Sequence, residues 1–127
     1  MVREICPEDL QQLLELYLHL HETEIPVESE HLRSVWQHIY ENPNYHIFVY
    51  DVDGKIVSAI VCLVVYNLTH NVRPYILIEN VVTHAKYRGK GYASACLARA
   101  REIAIQENCY KLMLITGSKE ESTLRFY

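Results

Sequence analysis

The chain has 127 residues, half of them apolar, and a formal net charge of −4, which suits one domain with a hydrophobic core. The negative charge argues against a general nucleic-acid binder, because affinity for a phosphate backbone depends mainly on Lys and Arg. No apolar run approaches the roughly 20 residues that a membrane span needs, so no membrane partner is predicted.

The N-terminal half predicts a strand, two helices and a β-hairpin. Pro7 suits the first turn of a helix, and the apolar residues that follow recur at spacings of three and four, which indicates one buried face. Asp53-Gly54 lies between two runs of β-branched and aromatic residues and is a strong hairpin signal. The predicted elements are a strand at 2–6, helices from residue 7 and at 30–40, and strands at 45–51 and 55–66.

The C-terminal half predicts two strands and two helices after a loop at 67–74. Asn108 is a tolerable left-handed cap for the first of these helices. The predicted elements are a strand at 75–83, a helix at 94–106, a strand at 111–116 and a last helix that begins at 120 and runs to 127. Without a repeat or linker, the order β-α-α-β-β-β-α-β-α predicts a single α/β domain over 1–127 with a mixed central sheet.

The cysteines indicate a reducing compartment. Cys6, Cys62, Cys96 and Cys109 are widely spaced, have no C-x-x-C pair, and each lies in an apolar run. Reduced core thiols therefore explain them better than disulfides or zinc ligands, and no metal site is predicted. Residues 1–5 also lack the layout of a signal peptide, so we expect a cytoplasmic protein.

The stretch 87–93, Tyr-Arg-Gly-Lys-Gly-Tyr-Ala, connects the strand at 75–83 to the helix that follows. A glycine-bearing turn there places several backbone N–H groups at the positive end of the helix dipole, which favours phosphate. No Asp or Glu occurs between residues 80 and 101, whereas five bases do: Lys86, Arg88, Lys90, Arg99 and Arg101. This local basic charge in an acidic chain suggests a small anionic ligand.

Two common phosphate-binding motifs do not fit the turn. Ser94 stands where a dinucleotide fingerprint needs its third glycine, and no acidic residue follows at the required distance. A P-loop needs Gly-Lys followed by Ser or Thr, but Gly91 follows Lys90. The ligand therefore needs another motif to identify it.

The turn resembles the signature Q/R-x-x-G-x-G/A of the GNAT superfamily of N-acetyltransferases, with Arg88, Gly91 and Ala93 at the fixed positions. Residues 79–84 and 110–114 are similar to the two splayed strands of that family, and 123–127 to the helix that carries its usual tyrosine. The resemblance implies a mixed, mostly antiparallel sheet with helices on both faces. The family usually continues with a final pair of strands, which this chain lacks. We therefore expect either a truncated form or an open sheet edge, through which a homodimer is plausible.

The resemblance implies acetyl-CoA as the acyl-donating co-substrate, without a metal. The turn would hold its pyrophosphate, the glycines would allow close approach, and the preceding strand would pair its backbone with the pantetheine arm. The cofactor-binding residues that this implies are Val81, Val82, Thr83, Arg88, Gly89, Lys90, Gly91, Tyr92 and Ala93.

Two residues are candidates for proton transfer when an amine attacks acetyl-CoA directly in a ternary complex. Tyr127 matches the proton donor to the CoA thiolate in the family, and its alternative role is that of a packing aromatic. Glu79 is the candidate base, acting through a water, and its alternative is a buried structural carboxylate. His84 is a second candidate base or a loop residue.

The sequence leaves the identity of the acceptor amine open. In the family the first two helices and their connection line the acceptor site, and here that region contains Glu22, Glu24, Glu28 and Glu30. These acids favour a cationic small-molecule or peptide amine, although a solvated acidic loop explains them as well. An amino-sugar phosphate is a minor candidate. The alternative to an enzyme is a non-catalytic acyl-CoA-binding or regulatory module.

Overall fold

The secondary structure follows the predicted order up to the last element. The computed structural model describes residues 1–20, 22–115 and 121–126. The strands are β1 (Val2–Glu4), β2 (Tyr45–Val52), β3 (Lys55–Val65), β4 (Tyr75–Thr83), β5 (Lys111–Ile115) and β6 (Glu121–Arg125). The helices are α1 (Leu10–Leu16), α2 (Glu30–Glu41), α3 (Thr69–Val72) and α4 (Tyr92–Gln106), with 3-10 segments at Pro7–Asp9, Tyr17–His19 and Ala85–Tyr87.

The six strands of the described residues form one sheet in the order β1-β2-β3-β4-β5-β6. Every neighbouring pair is antiparallel except β4 and β5, which are parallel and are connected through α4. Helix α4 packs on one face of the sheet, and α1 and α2 on the other. The predicted mixed, mostly antiparallel sheet with helices on both faces is confirmed.

Small side chains on one face of α4 bring that helix close to the sheet. Cys96, Ala100 and Ala104 are fully buried there against a cluster that includes Phe48 and Ile78. Cys62 and Cys109 also lie in this core, and burial raises the pKa of the Cys62 thiol to about 12. The core cysteines are therefore protonated free thiols that fill space.

The hairpin between β2 and β3 forms at the predicted Asp-Gly pair. Asp53 and Gly54 both have positive φ, 50° and 89°. The Asp51 side chain accepts the Gly54 N–H at 2.6 Å, and Arg3 Nε donates to Asp51 at 3.0 Å. Arg3 also forms an ion pair with the buried Asp9 at 2.7 Å, so one arginine joins β1, the hairpin and the residues before α1.

The prediction of a helix over 120–127 is wrong, because residues 121–125 form strand β6. β6 pairs antiparallel with β5, from Lys111 opposite Arg125 to Ile115 opposite Glu121. This pairing satisfies backbone groups of β5 that an adjacent helix would have left open, and such tertiary pairing overrides weak local propensity. Tyr127 and the predicted turn at 117–118 lie outside the described residues.

The predicted loop at 67–74 contains the short segment α3, which is not a regular right-handed helix. His70, Asn71 and Val72 have φ between 53° and 62°. Within the described residues, no helix combines the length and apolar character that crossing a membrane requires.

Candidate functional site

Strand β4 separates from β5 halfway along its length. β4 pairs with β5 only at Ile76, Leu77 and Ile78, whereas its pairing with β3 continues to Thr83. Among the described residues, positions 79–83 therefore have no strand partner on the β5 side. An edge without a strand partner suits an extended ligand that contains amides. The carbonyl groups of Val82 and Thr83 already accept side-chain hydrogen bonds, from Ser58 and Arg88.

A β-bulge lies at the same point of β4. The register changes from Val61 opposite Glu79 to Ala59 opposite Val82, so β4 has one residue more than β3, and Asn80 has φ +50°. Cross-strand neighbours share a face of the sheet. Because Val61 and Ala59 both belong to the core beneath α1 and α2, the bulge places Glu79 and Val82 on that face.

Glu79 is half-buried and lies near two tyrosines of the α1–α2 side. Burial raises the pKa of Tyr45, and the charge of Glu79 raises it further. Burial is the main cause that raises the pKa of Tyr17 to about 12, and the nearby Tyr45 raises it further. A hydrogen bond with the Asn80 side chain acts in the opposite direction. The sequence predicted Glu79 but missed these tyrosines. Tyr17 could have been identified from the sequence, because it places a hydroxyl group on the apolar face of a predicted helix.

The turn before α4 has the backbone geometry that its glycines indicate. Gly89 has φ +76°, and Gly91, the N-cap residue of α4, has φ +81°. A Cβ atom at either position would meet no protein atom within 4 Å. The chain therefore needs glycine there for its backbone conformation, and the space beside the turn is open to a ligand.

The N–H groups of residues 89–94 donate to no acceptor in the described part of the chain. No side chain caps the α4 N-terminus either. A helix N-terminus with uncapped N–H groups carries a partial positive charge and binds phosphate readily. The residues predicted to bind a pyrophosphate therefore have the backbone geometry that such binding requires.

Arg88 is more engaged with the protein than the sequence suggested. Its Nε atom donates to the Thr83 carbonyl at 3.3 Å, and its Nη2 atom donates to the His19 carbonyl at 3.2 Å. Lys90 Nζ lies 5.7 Å from the centre of the Tyr87 ring. Tyr92 packs against Tyr50, with the ring centres 4.2 Å apart.

A cleft of about 400 Å³ runs beside the unpaired part of β4. It is lined by His19, Leu20, Val81, Val82, Thr83 and Arg88. The structure thus brings Val81–Thr83 and Arg88, which were predicted to bind one ligand, to one cleft. His19 and Leu20 are the lining residues that the sequence analysis missed.

His84 is poorly arranged to act as a base. Its Nδ1 atom accepts the Lys86 N–H at 3.1 Å, so a neutral ring carries its proton on Nε2 and has no lone pair to spare. Burial lowers the pKa of His84, and the charges of His19, Lys55, Lys86 and Arg88 lower it further. Glu79 is the better-placed candidate on the α1–α2 face.

The acidic residues that favoured a cationic acceptor are exposed. Glu22, Glu24 and Glu28 lie on the connection between α1 and α2, and Glu30 begins α2. Ser29 caps α2 by accepting the Leu32 N–H at 3.0 Å. In the described residues no group of three or more His, Cys, Asp or Glu side chains is arranged to hold a metal ion.

Comparison with known sequences assigns the chain to a family. The sequence model of the acetyltransferase (GNAT) family matches residues 10–127. A glucosamine 6-phosphate N-acetyltransferase of Trypanosoma brucei brucei is 31% identical over 81 residues, which are 64% of this chain and 53% of that protein. The chain thus spans about half the length of the curated relative that it matches.

Solved structures share the fold. A "putative acetyltransferase" of Agrobacterium tumefaciens str. C58 superposes with a TM-score of 0.86 at 39% identity, over 94% of this chain and 83% of that one. A glucosamine-6-phosphate N-acetyltransferase of Arabidopsis thaliana superposes with a TM-score of 0.81 at 22% identity, over 90% of this chain and 80% of that one. The second likeness concerns the fold alone.

Proposed function

Because the chain belongs to the acetyltransferase (GNAT) family, we propose that it is a single-domain N-acetyltransferase, with residues 1–127 as the domain. It transfers the acetyl group of acetyl-CoA to a primary amine of a small molecule or peptide, by direct attack in a ternary complex. The observation that carries the proposal is the adjacency of two open backbone surfaces. These are the N–H groups of residues 89–94 and the unpaired end of β4 at 79–83.

Acetyl-CoA has two parts that match these surfaces. Its pyrophosphate accepts hydrogen bonds from residues 89–93 at the α4 N-terminus, where the helix dipole adds favourable charge. Its pantetheine arm contains two amides, which pair with the backbone of Val81, Val82 and Thr83 in the manner of an added strand. Lys90 adds charge at the mouth of the turn, and no metal takes part.

The chemistry requires three proton transfers, two from the acceptor nitrogen and one to the CoA sulfur. The acceptor ammonium loses a proton to Glu79 through a water, and the amine nitrogen then attacks the acetyl carbonyl carbon. The C–S bond breaks as the C–N bond forms, and the departing CoA thiolate takes a proton from Tyr127. The new amide nitrogen then gives up its remaining excess proton, which restores the Tyr127 hydroxyl. The role of Tyr127 rests on the family resemblance, since this residue lies outside the described part of the chain.

A cationic amine is the acceptor that we favour. Four exposed carboxylates, Glu22, Glu24, Glu28 and Glu30, occupy the connection and helix that line the acceptor site in the family. They would raise the local concentration of a polyamine or a basic peptide. An amino-sugar phosphate is the second candidate, because a relative at 31% identity is named for glucosamine 6-phosphate.

Release of free CoA thiol from acetyl-CoA, measured over a panel of amines, tests the activity. The panel should contain polyamines, amino acids, an N-terminal peptide and glucosamine 6-phosphate. A cationic acceptor predicts a KM that rises with salt, because screening weakens the attraction of exposed carboxylates. Acetyl-CoA binding without thiol release for any amine would instead support a non-catalytic acyl-CoA-binding module.

Substitutions test the proton-transfer roles. Glu79→Gln should lower kcat by roughly 100-fold and remove the acidic limb of the pH–rate profile, since general base catalysis contributes about this much. Tyr127→Phe should also lower kcat. Glu102→Gln is a matched control, because Glu102 is exposed on α4 and pairs with Arg99, away from the proposed site. Full turnover in either of the first two variants would remove that residue from the mechanism.

The assembly and location of the protein are separate proposals. A homodimer that forms through an open edge of the sheet would have twice the monomer mass in light scattering. A cytoplasmic location fits the free thiols of the core.

A further inference from the structure

His19 lies where two distant parts of the chain meet. It ends the 3-10 segment after α1, and its Nδ1 atom accepts the N–H of Ala85 at 3.3 Å. Its carbonyl oxygen accepts a hydrogen bond from Arg88 Nη2 at 3.2 Å. Arg88 Nε in turn donates to the carbonyl of Thr83 at 3.3 Å. Two hydrogen bonds therefore tie the segment after α1 to residues 85 and 88, and a third joins Arg88 to the end of β4.

The imidazole of His19 also packs against that of His84. The ring centres are 4.1 Å apart and the planes are tilted by 36°. Each ring accepts a backbone N–H through Nδ1, His19 from Ala85 and His84 from Lys86. In the neutral tautomer both rings then carry the proton on Nε2. The pair thus fixes two successive backbone groups of the 3-10 segment Ala85–Tyr87.

This segment sets the path of the chain into the glycine turn. Arg88 follows it directly, and a guanidinium held by two carbonyl oxygens has a fixed direction. An added Cβ atom at Gly89 or Gly91 would meet no protein atom within 4 Å, and the Gly91 carbonyl is bound only on its helix side, where it accepts the Ala95 N–H at 3.0 Å in the described residues. Helix α4 fixes the far end of the turn, and the contacts from His19 and His84 fix the end where the chain enters it.

His19 also faces the ligand space. It lines the cleft of about 400 Å³ together with Val81, Val82, Thr83 and Arg88. A molecule that fills this cleft touches His19 while it pairs with β4. The residue is thus in place to act on the binding of acetyl-CoA rather than only on the stability of the fold.

We propose that His19 is a positioning residue for the acetyl-CoA site. Its imidazole holds the Ala85 N–H, while its backbone carbonyl holds Arg88, so that the turn at 88–91 is preorganised before the ligand arrives. Preorganisation contributes to affinity by reducing the ordering cost of binding. The inference rests on the proposed function, because it concerns the same ligand. It assigns His19 no part in proton transfer.

Three substitutions at one position separate the hydrogen bond from the bulk of the side chain. His19→Asn keeps an acceptor near the place of Nδ1, His19→Gln moves the acceptor further out, and His19→Ala removes it. Calorimetry with acetyl-CoA should show Kd raised about tenfold for His19→Ala, since one hydrogen bond and its preorganisation are lost. His19→Asn should stay within about twofold of the wild type, and His19→Gln should lie between the other two.

Hydrogen exchange reports the contact without any ligand. The Ala85 amide should exchange faster in His19→Ala than in the wild type, and His19→Asn should restore its protection. In turnover assays KM for acetyl-CoA should rise while kcat stays within about twofold. His31→Ala is the control, because His31 is exposed on α2, and it should change none of these quantities.

The outcomes distinguish this inference from the proposed function. If the wild type does not bind acetyl-CoA, the proposed function fails and the inference with it. If the wild type binds and His19→Ala binds equally well, the inference alone is overturned. Equal loss of affinity in the Ala and Asn variants would also overturn it, because bulk rather than the acceptor atom would then be responsible.

Discussion

Two glycine turns of this protein use the same backbone device for different ends. In the β2–β3 hairpin Gly54 has φ +89°, and before α4 Gly91 has φ +81°. Neither position would bring an added Cβ within 4 Å of the protein. Both turns thus require glycine for the same conformational reason, and both glycines have open space around them.

The turns differ in which groups form hydrogen bonds with their backbone N–H and C=O groups. In the hairpin the Gly54 N–H donates to Asp51, the Gly54 carbonyl accepts from Gln12 at 3.1 Å, and Gln12 also accepts the Ile56 N–H. Before α4, the N–H groups of residues 89–94 have no acceptor among the described residues. The protein itself satisfies the polar groups of the first turn, whereas those of the second have no partner in the described residues and are, in our proposal, the ligand site. Hairpin variants should therefore change stability, and α4-turn variants should change binding.

The largest expected effect is on binding. Gly91→Val should weaken acetyl-CoA binding about 100-fold or more in calorimetry, because the side chain occupies the space of the pyrophosphate and several charge-assisted hydrogen bonds are lost. Gly54→Val is the matched control, since it has the same φ strain and open surroundings. It should leave acetyl-CoA affinity unchanged. If both variants bound acetyl-CoA equally well, the two turns would not differ in function as we propose.

The second effect is on stability, at the arginine that supports the hairpin. Asp9→Asn removes the charge that Arg3 pairs with in a largely buried site, and we expect a loss of about 2 kcal/mol in the free energy of unfolding by urea. Glu102→Gln breaks an exposed pair on α4 and should cost less than about 0.5 kcal/mol. A loss of acetyl-CoA affinity in Asp9→Asn would show that the two regions are coupled.

Low pH should destabilise the fold at the same arginine, Arg3. Hydrogen bonds from Arg3 lower the pKa of both Asp9 and Asp51, and the Gly54 N–H lowers that of Asp51 further. Both carboxylates therefore stabilise the fold above their unfolded pKa of about 4, and the stabilisation is lost as pH falls through the lower folded value. Urea unfolding should give a free energy that declines below about pH 5. The decline should be shallower in Asp9→Asn.

The smallest expected effect is the loss of stability when each of the two glycines is replaced by alanine. Gly54→Ala and Gly91→Ala should each lower the free energy of unfolding by about 1 kcal/mol, because both place a Cβ at positive φ without a clash. Thermal unfolding of the two variants checks this. A much larger loss at one position would mean that the surrounding space, and not only φ, differs between the turns.

The sequence predicted best what local signals determine. The Asp53-Gly54 hairpin, the strand at 75–83 and the glycine turn before α4 each depend on residues close together in the chain. Asn108, predicted as a left-handed cap, has φ +56°. Such features need only the conformational preferences of a few residues, and those preferences can be read without a fold.

Features that depend on distant pairing were missed. Residues 121–125 form β6 because β5 lies beside them, and this cannot be read from five residues of weak propensity. The contact of His19 with Ala85 joins residues 66 positions apart. The tyrosines on the side of Glu79 also come from the 3-10 segment after α1 and from β2, which meet only in the folded protein. The site was predicted as a turn and a strand, without the residues that support them.

The extra residue in β4 has a consequence for insertions and deletions. Ile76 and Ile78 face the α4 core, and strict alternation would place Val82 there too; instead Val81 packs on that core and Val82 lies on the opposite side. The bulge at Asn80 thus shifts the phase of inward and outward side chains along the strand. Removing residue 80 would invert every side chain from 81 to 83, whereas any single substitution there leaves the phase intact. We therefore expect this part of the chain to tolerate changes of residue better than changes of length.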